Sequence, residues 1–144
     1  MRRWQPRAAI RQAHIVASLI PALTLALTLA HIQALTLAQR FNCRSIEWSA
    51  RHSVAADLLF NCTPVGMHPN VDESPFEKHH LRPSMVVFDV VYNPEMTKLL
   101  QLAASKGAKI VKGTEMFVRQ AAAQFKAFTG KEAPVEEFRR VMHI

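Results

Sequence analysis

The chain has 144 residues, 49% of them hydrophobic and 8% aromatic, enough for one ordinary domain with a mainly aliphatic core. A formal charge of +7 would suit nucleic acid or a membrane surface, but its distribution argues against both for the folded part. Residues 1–46 carry six arginines and no acid, whereas residues 47–144 set 12 Lys/Arg against all 11 Asp/Glu, so no nucleic-acid partner is expected for that nearly neutral part.

In chain order, the first segment stands apart. Residues 15–30 hold no charge, and Leu-Thr-Leu-Ala occurs at 23–26, 27–30 and 35–38. A secretory signal fits the basic start and apolar middle. A membrane-spanning helix is marginal, because Pro21, His31 and Gln33 interrupt the roughly 20 apolar residues that a span needs. A truncated or frame-disturbed start fits the repetitive Leu/Thr/Ala text, and an ordinary apolar helix stays open too. Residues 1–32 are therefore set apart as an atypical leader, with a membrane role not expected, and residues 33–144 as one incomplete domain.

Gln33 to Phe41 reads as an amphipathic helix offering Leu35, Leu37, Ala38 and Phe41 to a core. Arg44 to Trp48 reads as a short strand. The two cysteines, Cys43 and Cys62, lack zinc or redox spacing, and buried thiols in a reducing cytoplasm are expected. Leu58 to Cys62 reads as a short buried strand, stopped by Pro64 and Gly66. His68 to Pro75 is a loop with little apolar surface. Met85 to Tyr92 is a continuous β-branched run, the pattern of a parallel strand covered on both faces. Asn93-Pro94 ends it.

Met96 to Ser105 has helical period, with Leu99, Leu100 and Ala103 on one side, and Gly107 supplies a left-handed stop. Lys109 to Val111 is the next strand, closed by Gly113. Thr114 is expected to cap a helix from about Glu115 to Phe128 that ends at Gly130. Pro134 opens a last helix through Val141. The layout is α/β, a doubly wound arrangement with a partial Rossmann-like parallel sheet, flanking helices and C-terminal helices. Ligands in such sheets sit beyond the carboxyl ends of the strands, here Asn61–Gly66, Tyr92–Pro94 and Gly113–Thr114.

Those ends carry a resemblance. Asn61-Cys62-Thr63-Pro64-Val65-Gly66-Met67, then Phe88-Asp89-Val90-Val91-Tyr92-Asn93-Pro94, then Gly113-Thr114-Glu115-Met116-Phe117-Val118-Arg119-Gln120-Ala121 resemble the C-terminal half of shikimate dehydrogenase. Phe128-Thr129-Gly130 with Ala133-Pro134 adds to it. The likeness covers about residues 33–141. Bifunctional dehydroquinate dehydratase–shikimate dehydrogenases are similar there. The resemblance implies NADP as cofactor, shikimate or 3-dehydroshikimate as small-molecule substrate, and a reaction on the route to chorismate and the aromatic amino acids. It also implies cofactor contacts at Asn61, Thr63, Val65, Val90, Gly113 and Met116, and substrate contacts at Tyr92 and Gln120. The residue chemistry suits these roles. Gly113 has no Cβ, so a flat ring can lie on its backbone. Met116 and Gln120 are four apart on one helix and share a face. The Gln120 amide can donate to one hydroxyl and accept from another. Tyr92 joins an apolar ring to a polar tip. By residue type alone, Met116 also reads as core filler, Gln120 as a solvated helix residue and Tyr92 as a strand-end aromatic.

Three parts of the family's machinery do not occur in this text. A phosphate loop needs closely spaced glycines before a helix. The glycines here are Gly66, Gly107, Gly113 and Gly130, no two of them two apart. The family's Asn-Arg-Thr turn is expected just before the helix containing Gln33, where Thr28-Leu29-Ala30 stands, and no arginine lies between Arg11 and Arg40. NADP over NAD therefore has no residue to argue from. The family's catalytic lysine and aspartate belong upstream of Glu47 and Lys78, the first acid and first lysine here. No catalytic residue is assigned, and the isolated chain is expected to be inactive. No metal site is expected, since adjacent His79 and His80 rarely converge on one ion. Asp89 reads as a structural acceptor before a general base. Arg139, Arg140 and Lys131 read as a solvated face. The alternative class is a non-catalytic remnant or partner-binding module with an apolar N-terminal helix.

Overall fold

A computed structural model describes residues 14–16 and 24–142, with side chains from residue 32 onward. The readings of residues 1–32 as a leader lie mostly outside the described residues. The chain divides into two compact units, 1–54 and 55–144.

In the first unit, β1 (His14–Val16) pairs in parallel with β2 (Arg44–Ile46), His14 opposite Arg44 and Val16 opposite Ile46. Helix α1 (Thr24–Arg40) lies between them in sequence. It runs straight through position 33, because Leu, Ala and Gln are strong helix formers and no breaker falls inside the run. Asn42 at φ 49° ends it, with the Cys43 amide reaching back 2.8 Å to the Ala38 carbonyl. Among the described side chains of α1 the buried ones are Ala34 and Ala38, one turn apart, whereas Leu35, Leu37 and, just past the helix, Phe41 are exposed. Of the four expected core positions only Ala38 is buried. The predicted strand to Trp48 stops at Ile46, and a 3-10 helix (Trp48–Ser53) follows, its Arg51 guanidinium 4.3 Å from the Trp48 ring.

The second unit is built on a three-stranded parallel sheet, order β3 (Leu58–Asn61), β4 (Val86–Asp89), β5 (Lys109–Val111). The register sets Leu59, Val87 and Ile110 on one face and Phe60, Phe88 and Val111 on the other. Helix α2 (Lys98–Ser105) covers the first face. Val87, Leu99, Leu100 and Ala103 form the core there with Phe76, Leu81, Met85 and Ala108. Leu81 and Met85 come from the long β3–β4 connection, whose tip at 68–74 is largely exposed. The opposite face is thinner. Leu58 and Phe60 on the outer strand are exposed, Phe60 at 59%, although its ring meets Phe88 edge-on at 5.5 Å. Strand β3 is thus a half-exposed outer strand of its unit, not a buried one.

Both strand ends fall one to three residues earlier than predicted, for one reason. Asn61 Oδ1 accepts the Thr63 amide at 3.0 Å, and Asp89 Oδ1 accepts the Val91 amide at 3.1 Å. Each side chain thereby captures the backbone two residues on and halts the ladder. Because Asn61 points inward, Cys62 points outward. It is an exposed free thiol and Cys43 a half-buried one, which corrects the expectation of buried cysteines.

Helix α3 (Gly113–Thr129) starts one residue before the expected cap. Lys112 holds the cap position without a side-chain bond, and Thr114 is buried in the first turn. Gly130 at φ 70° ends the helix as expected. Helix α4 (Val135–Met142) packs back on α3 through Phe138 against Phe125, and Arg139 makes a bidentate bond to Glu115 at 2.8 and 2.9 Å. Among the described residues no helix is long and apolar enough to cross a membrane.

Candidate functional site

The carboxyl ends of β3 and β4 lie side by side. Asn61 stands opposite Asp89 in register, and the Val90 amide donates to the Asn61 carbonyl at 3.0 Å. Their side chains meet as well, Asn61 Nδ2 donating to Asp89 Oδ1 at 2.9 Å. Asn61 Nδ2 also reaches the Val65 carbonyl at 3.3 Å, and Asn61 Oδ1 accepts the Thr63 hydroxyl at 2.7 Å. The same hydroxyl accepts the Val65 amide at 3.2 Å. One buried side chain thus folds the whole Asn-Cys-Thr-Pro-Val-Gly turn around itself. Both of its donors and both lone pairs are used, and it is only 3% exposed. Asn61 therefore has no free side-chain group for a ligand and can act on one only by shaping the turn.

Asp89 is the hub. It is fully buried, and its second oxygen accepts the Thr97 hydroxyl at 2.6 Å. Thr97 in turn caps α2 by accepting the Leu100 amide at 3.3 Å. Burial pushes the Asp89 carboxyl above its ordinary range, and the bonds from Thr97, Val91 and Asn61 oppose that rise. With three donors engaged, Asp89 is a structural acceptor. Thr97 was missed by sequence reasoning, which began the helix at Met96. A threonine directly before Lys98-Leu99-Leu100 was the available signal.

The third strand end joins the same edge. A Cβ on Gly113 would lie 2.5 Å from the Val91 carbonyl oxygen, 2.7 Å from that of Val90 and 2.8 Å from that of Asp89. The side where a Cβ would project is therefore filled by β4 itself, and the glycine is required by packing. Two further ties hold the turn after β4 to α3. Tyr92 stacks on Phe117, ring centroids 4.8 Å apart and tilted 35°, and Lys112 Nζ bonds Glu95 at 3.0 Å.

The predicted positions fall on this rim as follows. Thr63, Val65 and Val90 are partly exposed on the two turns; Tyr92 is exposed beside them. Met116 is half-buried and Gln120 exposed, on the first two turns of α3. Thr28, Leu29 and Ala30 do not form the turn before the helix; they lie inside α1, and the residues preceding that helix lie outside the described ones. His79 and His80 stack on each other at 3.9 Å, with Glu77 against His79 at 3.4 Å, and among the described residues no group of three or more His, Cys, Asp or Glu is arranged to hold a metal ion.

Comparison with known proteins agrees with the geometry. The model of the shikimate 5'-dehydrogenase C-terminal domain matches residues 113–143. A shikimate dehydrogenase (NADP(+)) of Oleidesulfovibrio alaskensis is 36% identical over 113 residues, covering 76% of this chain and 40% of that protein. The C-terminal part of this chain is similar to the C-terminal part of shikimate dehydrogenases. A chloroplastic bifunctional 3-dehydroquinate dehydratase/shikimate dehydrogenase of Arabidopsis thaliana is 49% identical over 85 residues, 59% of this chain and 14% of that protein. The chain thus spans less than half the length of these relatives. Among solved structures, a shikimate dehydrogenase in complex with NADP+ superposes with TM-score 0.69 at 32% identity, over 78% of this chain and 42% of that one. A quinate dehydrogenase from Corynebacterium glutamicum in complex with NAD gives TM-score 0.72 at 28% identity, over 90% and 45%. The parallel three-stranded sheet with C-terminal helices is the Rossmann-like architecture of the shikimate dehydrogenases.

Proposed function

We propose that residues 55–144 supply the nicotinamide-side wall of a shikimate dehydrogenase site, acting on shikimate and 3-dehydroshikimate with NADP. The observation that carries this reading is the gathering of three strand ends, at Thr63, Tyr92 and Gly113, on one edge of the sheet. Only one end of the dinucleotide fits what is present. Thr63, Val65, Val90 and Met116 offer a partly apolar, partly exposed edge suited to a nicotinamide, with Asn61 and Gly113 as framework. No pair of glycines is spaced to cradle the diphosphate. When bound, the dinucleotide supplies or accepts the hydride. Tyr92 and Gln120 border the sugar acid, the amide of Gln120 bonding a hydroxyl.

The described part has no group assigned to protonate the reacting oxygen. General acid catalysis contributes about 10²–10⁴-fold, so turnover by this chain alone is expected to be negligible. A spectrophotometric assay with shikimate and NADP tests that, and robust turnover refutes it. Backbone amide shifts in the same solutions test the site. Perturbations confined to the turns at 61–66, 90–95 and 113–120 support it, and their absence with both ligands present refutes it. Two free cysteines support a reducing, cytoplasmic setting. The partner-module reading has the exposed Ile32, Leu35 and Leu37 of α1 and the adjoining Phe41 in its favour, but gives no reason for three strand ends to converge.

A further inference from the structure

We propose that Phe117 is a positioning residue that holds the Tyr92 ring in place for substrate, an inference that rests on Tyr92 bordering the sugar acid. Tyr92 sits past the end of β4, on a turn, and is 48% exposed. A tyrosine so placed would sample several rotamers unless something held one face. Phe117 does so, at 4.8 Å between centroids and 35° between planes, within the range of a favourable aromatic pair.

Phe117 is itself well anchored. It is the fifth residue of α3, whose first residue, Gly113, lies against the β4 carbonyls. The next residue, Val118, is buried. Phe117 and Gln120 are three apart on the helix and therefore neighbours on its surface. The stack thus fixes the spacing between the two side chains assigned to the substrate. The Glu95–Lys112 ion pair fastens the other end of the same turn, but both partners are more than a third exposed, so salt screens it. The aromatic contact is the tie that persists at high ionic strength.

Tyr92 is the single tyrosine of the chain, so incorporating 3-fluorotyrosine gives one ¹⁹F resonance that reports its ring directly. In the full chain at high salt, the resonance is expected to be narrow and to move as shikimate is added. In Phe117→Leu, the ligand-free resonance should shift and broaden, and the shikimate dissociation constant should rise about three- to ten-fold. Phe117→Trp keeps an aromatic face and should return both towards the parent. Thermal melts check each variant, and Phe117→Met replaces leucine if that variant is unfolded. A parent resonance that responds to shikimate, with an identical titration in the leucine or methionine variant, overturns the role of Phe117 alone. A parent resonance that ignores saturating shikimate overturns the substrate reading of Tyr92, and this proposal with it.

Discussion

Replacing Gly113 by alanine is the sharpest test of how the site is assembled. Gly113 does not have a positive φ, so alanine is conformationally allowed there, and helix propensity alone would favour it by up to about 1 kcal/mol. The steric term opposes this. The new Cβ would meet three carbonyl oxygens at 2.5, 2.7 and 2.8 Å, all backbone and all from the end of β4. No side chain can rotate away, so α3 must withdraw or the 89–91 turn must deform. Overpacking of this kind costs about 1–3 kcal/mol, and three backbone contacts point to the upper end. The net expectation is a loss of about 2 kcal/mol. At about 4–8 °C per kcal/mol for a unit of this size, that lowers Tm by roughly 8–16 °C, measured by circular dichroism. Gly130→Ala is the control. Its φ of 70° also disfavours alanine, but nothing lies within 4 Å of the added Cβ. Strain alone should cost about 1–2 kcal/mol there, with the ¹⁹F signal of Tyr92 unchanged. A Gly113→Ala chain as stable as its parent would refute the seating of α3 against β4, and with it the single-rim geometry.

Asp89→Ala should cost about 3 kcal/mol or more in urea unfolding, because it strands three buried donors, whereas Asp89→Asn should cost less by keeping an acceptor for two of them. Burial raises the Asp89 pKa in the folded chain above its unfolded value, so its contribution to stability is largest in acid and declines as pH climbs through the raised value; the asparagine variant should lose that slope. Cys62, whose thiol is held above its ordinary pKa by partial desolvation and by the charge of Asp89, should alkylate more slowly than a free cysteine at mildly alkaline pH, and Asp89→Asn should speed it. Glu115 is shifted the other way, down, by its bond to Arg139, so this pair supports α4 above the unfolded glutamate pKa and releases it as pH falls through the lower folded value. Both groups are partly exposed, so molar salt should narrow the difference between Arg139→Ala and the parent.

The sequence carried the order of the second unit well. The β-branched run of β4, the period of α2 and the glycines at 107 and 130 each have a local cause, and local causes can be read from text. Strand ends were placed less well, because what ends β3 and β4 is a side-chain bond from Asn61 or Asp89 that competes with the ladder. The fault at α1 is different in kind. Periodicity places Leu35, Leu37 and Phe41 inward, but tertiary packing decides which face of a helix is covered, and among the described side chains it is the face of Ala34 and Ala38. At Thr97 the cap bond to the Leu100 amide is local and legible in the text, whereas the bond to Asp89 reaches eight residues back to a different element and is not.

The stretch from Asn61 to Gly66 lies at the carboxyl end of a parallel strand, where a ligand is expected. Its polar groups turn inward instead. Asn61 is saturated by Thr63, Val65 and Asp89, and Asp89 passes the constraint on to Thr97 and so to the start of α2. A rim built this way is stiff before any ligand arrives, since moving one turn breaks bonds in the other. Hydrogen bonds made inside the wall cannot also be given to a cofactor, so recognition is expected from backbone edges, from Val65, Val90, Met116 and Gln120, and from the Tyr92–Phe117 pair. This predicts an asymmetry in mutants. Changes at Asn61, Asp89 or Thr97 should lower stability and weaken every ligand alike. Changes at Met116, Phe117 or Gln120 should leave the melting temperature close to the parent's and discriminate between the nicotinamide and the sugar acid. If Thr97→Val instead weakened shikimate binding while the melting curve stayed in place, the division between wall and contact would be wrong.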